Sequence, residues 1–336
     1  MDSAPIFILT MGDPAGIGPQ IAVSALSQPQ QLPCRIVIIG DLEVLQKAAQ
    51  TCGFSPVFKS VNDIQKTDRE SINVLDMNET STSQFTPGIP QAECGKAAYR
   101  YITEAISFAM DKKAAAVITN PVSKESLKLA GINYPGHTEI FADKTGTNDY
   151  SMVFLLDNVA VAHVTTHVSL RRALELISKE RVLKQIRLLN RSLKSLGIDP
   201  PRLAVAGLNP HAGENGLFGN EEITEINPAI EQARIEGINV SGPYPPDTVF
   251  NRSFKGEFNG VVAMLHDHGF VALKSRDFEH GVNITVGLPI IRTSVGHGTA
   301  FDKAWGKDKS SHPSPASLLS AIDAASKIVR NCRTIR

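Results

Sequence analysis

The sequence has few of the features that mark secreted, membrane-spanning or nucleic-acid-binding proteins. Its 336 residues include only four cysteines, with no CxxC spacing, which argues against a disulfide framework, a cysteine-based zinc site and an iron–sulfur cluster. The 34 basic residues balance the 34 acidic ones, so there is no net charge to attract nucleic acid or an anionic membrane. We therefore expect small-molecule partners, and neither nucleic acid nor membrane.

Long apolar runs are also missing. No stretch approaches the roughly 18 uninterrupted apolar residues of a membrane span. The first residues, MDSAPIFILTMGDP, lack the basic region and long apolar core of a signal peptide. We expect a cytoplasmic protein. A chain of this length usually divides into two domains, and a cleft between them is predicted.

Short apolar runs alternate with longer amphipathic segments along the chain. IFILTM, RIVIIG and AAAVIT each precede a helical pattern, and MVFLL, VAVAHV, LAVAGL and VVAMLH follow around the strongly helical RRALELISKERVLKQIRLLNRSLKSLG. This alternation predicts an α/β fold with a parallel, doubly wound sheet. Residues 77–95, polar with glycine and proline, are predicted to form a surface loop.

Three histidines, His167, His211 and His266, come just after three of these apolar runs. Ligands of open α/β sheets bind at the carboxyl ends of the strands, where the three imidazoles could converge on one divalent metal. The alternative is that each histidine merely hydrogen-bonds a loop carbonyl. His268 is predicted to lie on the same strand face as His266, and His163 precedes His167 by four residues. The sequence alone does not decide which member of each pair binds metal.

Other segments suggest anion and cofactor binding. The loop MGDPAGIGP leaves a strand and enters a helix, so Gly12, Asp13 and Gly16 could approach a ligand, or form only a tight turn with Asp13 as a cap. It fits neither the Rossmann nor the Walker pattern. His297 opens HGTAFD, a turn that could face a ligand, with helix capping as the alternative.

A phosphate or carboxylate site is suggested by a second set of residues. His137 and Thr138 follow a Pro-Gly turn, although Thr138 could simply cap a helix. Lys274, Asn283 and Arg292 occur near strand-like segments, ALKS, GVNITVGL and PIIRTSV. A buried cation needs a partner, either an anionic ligand or an acidic neighbour.

Together these motifs resemble the 4-hydroxythreonine-4-phosphate dehydrogenase family over nearly the full chain. MGDPAGIGP, YPGHTE, TTH, GLNPHAGENG, GPYPPDTVF, HDHG, GVNITVGLPIIRTS and HGTAFD occur in the family's order. The resemblance implies a two-domain α/β fold with parallel or mixed sheets, of the isocitrate and isopropylmalate dehydrogenase type. It also implies a homodimer with NAD (NADP as the alternative) and one divalent metal, zinc or else magnesium, cobalt or manganese. The predicted domains are residues 1–130 plus 297–336, and residues 131–296 with the metal ligands and dimer interface.

The resemblance also implies residue roles, with an active site shared across the dimer interface. The metal ligands would be His167, His211 and His266, one or more of them from the partner subunit. The phosphorylated substrate would be held by His137, Thr138, Lys274, Asn283 and Arg292. The cofactor would meet the Gly12, Asp13 and Gly16 loop together with His297, Gly298, Thr299, Ala300 and Asp302. Lys274 or Asp247 would relay a proton.

The activity implied is oxidation and decarboxylation of 4-(phosphooxy)-threonine to 3-amino-2-oxopropyl phosphate, a step of pyridoxine biosynthesis. Departures from the family pattern, LHDHG and SVGHG together with GENGLFGNEE and PPDTVF, resemble a paralogous branch. That branch is associated with threonate catabolism, and its substrates, 4-phosphorylated D-threonate or D-erythronate, would give dihydroxyacetone phosphate. Further alternatives are a cis-dihydrodiol dehydrogenase, a metal-dependent phosphohydrolase and a non-catalytic phosphosugar-binding protein.

Overall fold

The computed structural model describes residues 4–27, 32–306 and 312–334. Its strands are β1 (Ile6–Thr10), β2 (Arg35–Gly40), β3 (Phe58–Ser60), β4 (Ile72–Asp76), β5 (Ala116–Thr119), β6 (Ser151–Leu156), β7 (Val159–His163), β8 (Leu203–Ala206), β9 (Val240–Tyr244), β10 (Gly260–Ala263), β11 (Val282–Val286) and β12 (Arg292–Val295). Its α-helices are α1 (Gly18–Leu26), α2 (Leu42–Cys52), α3 (Ala92–Met110), α4 (Lys124–Leu129), α5 (His137–Lys144), α6 (Leu170–Leu176), α7 (Lys179–Ser195), α8 (Asn227–Ile235), α9 (Val249–Phe254), α10 (His266–Arg276) and α11 (Ala316–Thr334).

The chain divides into two compact units. The first comprises residues 1–149 and 288–330, and the second residues 150–287 and 331–336. The sequence analysis placed the corresponding boundaries at 130/131 and 296/297. Helix α5 and strand β12, which carry His137 and Arg292, both fall in the first unit.

The strands of the first unit run parallel in the order β3-β4-β2-β1-β5-β12. Every residue of β1 is buried, as expected for a central parallel strand covered on both faces. Helix α3 packs on this sheet and buries Tyr101 and Ile102 completely. Strands β1, β5 and β12 are therefore held in the buried core of the unit. The glycine loop MGDPAGIGP follows the carboxyl end of β1, and the HGTAFD loop follows that of β12.

The strands of the second unit form a mixed arrangement in the order β11-β6-β7-β10-β8-β9. Strands β7, β10, β8 and β9 are parallel, whereas β6 pairs antiparallel with β7 and β11. One core includes Val182 and Ile186 of α7, and another includes Phe250 of α9 and Phe270 of α10. The α/β class with parallel and mixed sheets is confirmed.

Three sequence expectations about elements need correction. The segment HDHGFVALKSR is helix α10, so the prediction that ALKS and the two histidines of HDH lie on strands is wrong. Its buried residues are Gly269, Phe270 and Leu273, a helical spacing that the adjoining apolar run of β10 obscured. The long helical segment is two helices, because the side chain of Ser178 caps α7. Helix α3 begins at Ala92, inside the predicted loop.

No described helix is long and apolar enough to cross a membrane.

Candidate active site

Two of the three candidate metal ligands lie together in the second unit. The ring centroids of His167 and His266 are 5.7 Å apart. His167 follows β7, and His266 is the first residue of α10, directly after β10. Because β7 and β10 are parallel neighbours, the loops at their carboxyl ends meet. The structure therefore brings together two of the three histidines that follow apolar runs in the sequence.

The orientation of His266 suits metal binding. Its Nδ1 lies 2.7 Å from Oδ1 of Asp267. A carboxylate at this nitrogen favours the tautomer with the proton on Nδ1, which leaves the Nε2 lone pair for a metal ion. A cavity of about 320 Å³ adjoins the two histidines, with walls from residues 165–168, Leu170 and Ala173 on one side and residues 265–267 on the other.

Two further aromatic rings pack behind His266. Phe270 stacks on His163 at a centroid distance of 4.6 Å and lies 4.5 Å from His266 at an interplanar angle of 39°, and the His163 and His266 centroids are 6.2 Å apart. His163 is buried, and within the described residues neither of its ring nitrogens has a hydrogen-bond partner. Burial lowers the pKa of His163 to about 3, so the ring is neutral at physiological pH. His268, in the first turn of α10, is half-buried, which lowers its pKa too.

His211 stands on a left-handed turn. Within Pro210–Gly216, the six consecutive residues from His211 to Gly216 have positive φ angles, and four of these residues are not glycine. Each non-glycine residue costs roughly 1–2 kcal/mol in this conformation, so the turn requires support from outside. The ring of His211 packs edge-on against Phe218 at 6.0 Å, and its Nδ1 lies 3.3 Å from Oε2 of Glu214.

Glu222 provides that support. Its side chain is buried, and Oε1 accepts the backbone N–H groups of Leu208 at 2.7 Å and Asn209 at 2.8 Å. Oε2 accepts the side-chain amide of Asn209 at 2.9 Å. Hydrogen bonds to a charged acceptor contribute about 1.5–3 kcal/mol each, enough to offset much of the backbone cost.

A complete metal site is not formed by the described part of one chain. Across residues 4–27, 32–306 and 312–334, no group of three or more histidine, cysteine or acidic side chains is placed to hold a metal ion. His167 and His266 pair, whereas His211 contacts Glu214 and Phe218. The ligand roles of these histidines remain predictions.

In the first unit, a buried cation stands at the start of β12. Arg292 is 3% exposed, and its Nη2 donates a 2.7 Å hydrogen bond to Oγ1 of Thr119 at the end of β5. The guanidinium carbon lies 5.2 Å from the centroid of the Phe141 ring. Burial lowers the pKa of Arg292 to about 9, opposed by the nearby Glu139, so the group stays charged at neutral pH.

His137 and Thr138 begin helix α5, next to this cation. Burial and then the charge of Arg292 hold the pKa of His137 well below its usual range, so its ring is neutral. Its Nε2 is buried and has no hydrogen-bond partner among the described residues. A neutral N–H donor, a guanidinium and a helix N-terminus together provide what a phosphate group requires.

The two candidate cofactor loops touch each other in the first unit. The N–H of Ile17 donates to the carbonyl of Thr299 at 3.0 Å, and a Cβ added at Gly16 would lie 3.1 Å from Thr299. Trp305 Nε1 donates to the carbonyl of Pro14 at 3.1 Å. The glycine loop and the HGTAFD loop are therefore one packed structure.

Asp13 lies inside this structure. Its side chain is fully buried, and Oδ1 accepts the N–H of Ala15 at 3.0 Å. Burial raises the pKa of its carboxyl to about 6. A Cβ added at Gly12, which has a φ of 84°, would lie 2.5 Å from the Pro121 carbonyl oxygen. These two residues shape the loop from within.

The remaining cofactor candidates lie on the HGTAFD loop itself. His297 is half-buried, which lowers its pKa, and its Nδ1 lies 3.1 Å from the Gly298 carbonyl. A Cβ at Gly298 would meet nothing within 4 Å. Ala300 has a φ of 41°, and Asp302 is exposed.

Three more candidates belong to the second unit. Lys274 is exposed on α10, with its ammonium 5.4 Å from the centroid of Phe270 and 5.7 Å from that of Phe278. It follows Phe270 by four residues, as Phe270 follows His266, so all three share one helix face. Asn283 lies on β11, and Asp247 is exposed in the turn before α9.

The chain matches the model of one known protein family. The model of the family described as pyridoxal phosphate biosynthetic protein PdxA matches residues 32–325. The chain belongs to the PdxA family. The resemblance inferred from the sequence motifs is confirmed.

Individual PdxA relatives are similar over nearly their whole length. The D-threonate 4-phosphate dehydrogenase of Salmonella typhimurium is 47% identical, covering 90% of this chain and 94% of the relative. The enzyme of the same name from Pectobacterium atrosepticum is 42% identical, covering 96% and 99%. A crystal structure of 4-hydroxythreonine-4-phosphate dehydrogenase from Klebsiella pneumoniae has a TM-score of 0.86 at 41% identity, covering 96% and 99%. The prediction of a dehydrogenase is confirmed.

Sequence reasoning missed several residues of the candidate site. Phe270 could have been found, because its spacing of four from His266 places the two side chains on one face once the segment is recognised as a helix. Thr119 is the last residue of a predicted strand, and nothing else in the sequence indicates that it contacts Arg292. The sequence does not indicate that Glu222 supports the turn, because the left-handed backbone there occurs at four non-glycine residues and is not predictable from residue type.

Proposed function

We propose that this chain catalyses the NAD- and metal-dependent oxidative decarboxylation of D-threonate 4-phosphate, or its erythronate isomer, to dihydroxyacetone phosphate. The observation that carries a phosphorylated substrate is the buried guanidinium of Arg292 beside the neutral His137, whose Nε2 is buried. The preference for a sugar acid follows from the names of the Salmonella and Pectobacterium relatives and from the LHDHG and SVGHG variations.

The phosphate would be bound in the first unit. Arg292 would donate two parallel hydrogen bonds to its oxygens, and the neutral His137 would donate one from Nε2. The Thr138 hydroxyl and the N-terminal N–H groups of α5 would add neutral donors. Lys274 and Asn283 of the second unit are proposed as further substrate contacts.

The reacting end of the substrate would be bound by the histidines. Asp267 fixes the ring of His266, and His167 lies beside it, so two imidazoles suit a divalent metal. We propose that a second copy of the chain completes the ligand set, with His211 supplied across the interface. Exposed apolar residues beside the cavity, Val168, Leu170 and Leu174, support a dimer contact at this face.

A divalent metal such as zinc, held by His167, His266 and the His211 of a second copy, would supply a Lewis acid that lowers the pKa of the substrate's C3 hydroxyl, and NAD would supply the acceptor for the hydride from C3. The product of this oxidation is a ketone β to the C1 carboxylate, so carbon dioxide is lost from C1 and a proton is returned to C2. Lys274 or Asp247 would carry that proton. The HGTAFD loop and the adjoining glycine loop would hold NAD, with NADP as the alternative.

A second substrate is 4-(phosphooxy)-threonine, which would give 3-amino-2-oxopropyl phosphate. It is favoured by the description of the family and by the name of the Klebsiella structure. The two substrates differ only in the hydroxyl or amino group at C2, so the same phosphate and metal contacts serve both.

Absorbance at 340 nm tests the proposal. The protein would be mixed with NAD, a divalent metal and, in parallel, 4-phospho-D-threonate, 4-phospho-D-erythronate and 4-phosphooxy-L-threonine. We expect reduction with a sugar acid that EDTA abolishes. Reduction with the amino acid alone would establish the second substrate, whereas phosphate release without NAD would indicate a phosphohydrolase and contradict both.

The variant His211→Ala tests whether His211 is needed for turnover without being needed for folding. We expect His211→Ala to keep its oligomeric state in size-exclusion chromatography and to lose turnover. Full activity of this variant would contradict the ligand role of His211. Asp323→Ala is a suitable control, because it removes only an exposed ion pair with Lys327.

A further inference from the structure

We infer that Glu222 is a positioning residue for His211: its buried carboxylate fixes the left-handed turn that aims the imidazole at the metal. The inference rests on the proposed ligand role of His211 and assigns a new residue to that site. Glu222 itself would contact neither metal nor substrate. Its action would pass through the backbone of residues 207–213.

The carboxylate holds the start of the turn. Oε1 accepts two successive backbone N–H groups, at Leu208 and Asn209, and Oε2 accepts the Asn209 side-chain amide. The turn then closes on itself, because the N–H of Ala212 donates to the Asn209 carbonyl at 3.1 Å. Asn209 therefore joins the carboxylate to the residues on either side of His211.

The carboxylate also limits where the turn can lie. A Cβ added at Gly213, which has a φ of 81°, would approach Oε2 of Glu222 to 2.7 Å. A Cβ added at Gly207 would lie 2.8 Å from Cα of Ala212 and 3.1 Å from Oε1 of Glu222. The turn is thus packed against Glu222 on both sides of His211, and it has no room to shift towards the carboxylate.

Glu222 is itself fixed by the core. It begins the π-helical turn Glu222–Ile226, whose last residue is fully buried among the side chains of α7 and α8. The same turn contains a second carboxylate with a different target. Oε2 of Glu225 accepts the backbone N–H of Lys179 at the start of α7, at 2.9 Å. Glu225 therefore provides a matched control within one element.

The test is the metal affinity of the full-length protein. Each variant would be stripped with a chelator and titrated with Zn²⁺ against a chromophoric competitor. We expect Glu222→Ala to weaken Zn²⁺ binding by about 10–100-fold, the usual effect of removing an outer-shell partner. Glu225→Ala should lose thermal stability but bind Zn²⁺ within twofold of wild type. Unchanged affinity in Glu222→Ala would overturn the inference.

A double-mutant cycle identifies the route of the effect. If Glu222 acts only through His211, adding Glu222→Ala to His211→Ala should cause no further loss of affinity. Fully additive losses would overturn the inference. Glu222→Gln, which keeps an oxygen for both backbone N–H groups, should retain most of the affinity and covers the case in which Glu222→Ala fails to fold.

A substitution that displaces the His211 turn but keeps Glu222 tests the inference independently. Gly213→Ala, whose Cβ would meet Glu222, should weaken Zn²⁺ binding more than Gly216→Ala, whose Cβ would meet Asn220 and Ile223 instead. Equal effects of the two variants would contradict the inference. Failure of wild-type protein to bind Zn²⁺, or wild-type affinity in His211→Ala, would instead refute the proposed metal site.

Discussion

The guanidinium of Arg292 donates a 2.7 Å hydrogen bond to the hydroxyl of Thr119, across the pairing of β12 with β5. A neutral hydroxyl orients the cation without neutralising it. Phe141 covers the guanidinium with its ring face, which is compatible with a retained positive charge. Arg292 is therefore fixed in place and still able to attract an anion.

Replacing Arg292 tests the phosphate site. We expect Arg292→Met to raise the KM for the phosphorylated substrate by about 100-fold or more, because two charge-assisted hydrogen bonds of about 1.5–3 kcal/mol each are lost. Steady-state kinetics at saturating NAD would measure it. Arg35→Met, which removes an arginine that bonds the backbone carbonyls of Ala4 and Gln65, is the control and should leave KM unchanged. An unchanged KM in Arg292→Met would exclude the phosphate role.

His137 is expected to act as a neutral donor. Burial and the charge of Arg292 keep its pKa well below the usual range, so the ring is uncharged at neutral pH. His137→Gln retains an N–H donor and should keep KM within about threefold, whereas His137→Leu should raise it by about tenfold, the loss of one hydrogen bond. Equal KM values for the two variants would show that the ring only fills space.

Asp13 should make stability depend on pH. Burial raises its pKa from 3.8 to about 6, so the native state holds a proton that the unfolded chain releases between these values. Its contribution is fully present below pH 3.8 and is lost as pH rises to about 6. At pH 7.5, Asp13→Asn should therefore raise the free energy of unfolding by up to about 3 kcal/mol.

Urea unfolding of wild type and Asp13→Asn at pH 4 and pH 7.5 would measure this difference. The two proteins should converge at the lower pH. Asp63→Asn is a fair comparison, because Asp63 makes a similar bond to the N–H two residues on but is exposed. A stabilisation of the same size in Asp63→Asn would contradict the burial explanation.

Phe270 should matter for metal binding as well as for packing. Phe270→Leu removes the ring that contacts both His163 and His266, which frees the His266 imidazole to rotate. We expect about tenfold weaker Zn²⁺ binding, from the outer-shell rule. Phe250→Leu alters the same core away from the histidines. Zn²⁺ titration and thermal unfolding of both variants would separate the effect on metal binding from the effect on stability. Equal Zn²⁺ affinities of the two variants would contradict a role for Phe270 in metal binding.

The amino-acid sequence predicts the part of the site that depends on strand ends. His167 and His266 follow two apolar runs, and both runs are strands whose ends adjoin. The sequence does not show where β10 stops, because its apolar run continues through Met264 and Leu265 to the start of α10. That boundary decides which side chains share a face with His266, so Phe270 was not predicted.

The turn that carries His211 illustrates a harder limit. Left-handed backbone is expected at Gly213, but the sequence carries no such signal for His211, Ala212 or Glu214. This conformation is stabilised by hydrogen bonds to the carboxylate of Glu222, which lies eleven residues after His211 in the sequence. Tertiary contacts of this kind are invisible to periodicity and to local propensity.

The first unit is built from two separate parts of the chain, so its sheet can be completed only late in synthesis. Arg292 lies 173 residues after Thr119, its hydrogen-bond partner, and residues 150–287 are synthesised between them. A nascent chain that has not reached β12 therefore exposes an unpaired edge at β5 and lacks the guanidinium of the anion site. Strand β12 covers this edge and supplies the guanidinium at the same time, so we expect the growing chain to remain prone to aggregation, and unable to bind phosphate, until residues 292–295 have left the ribosome.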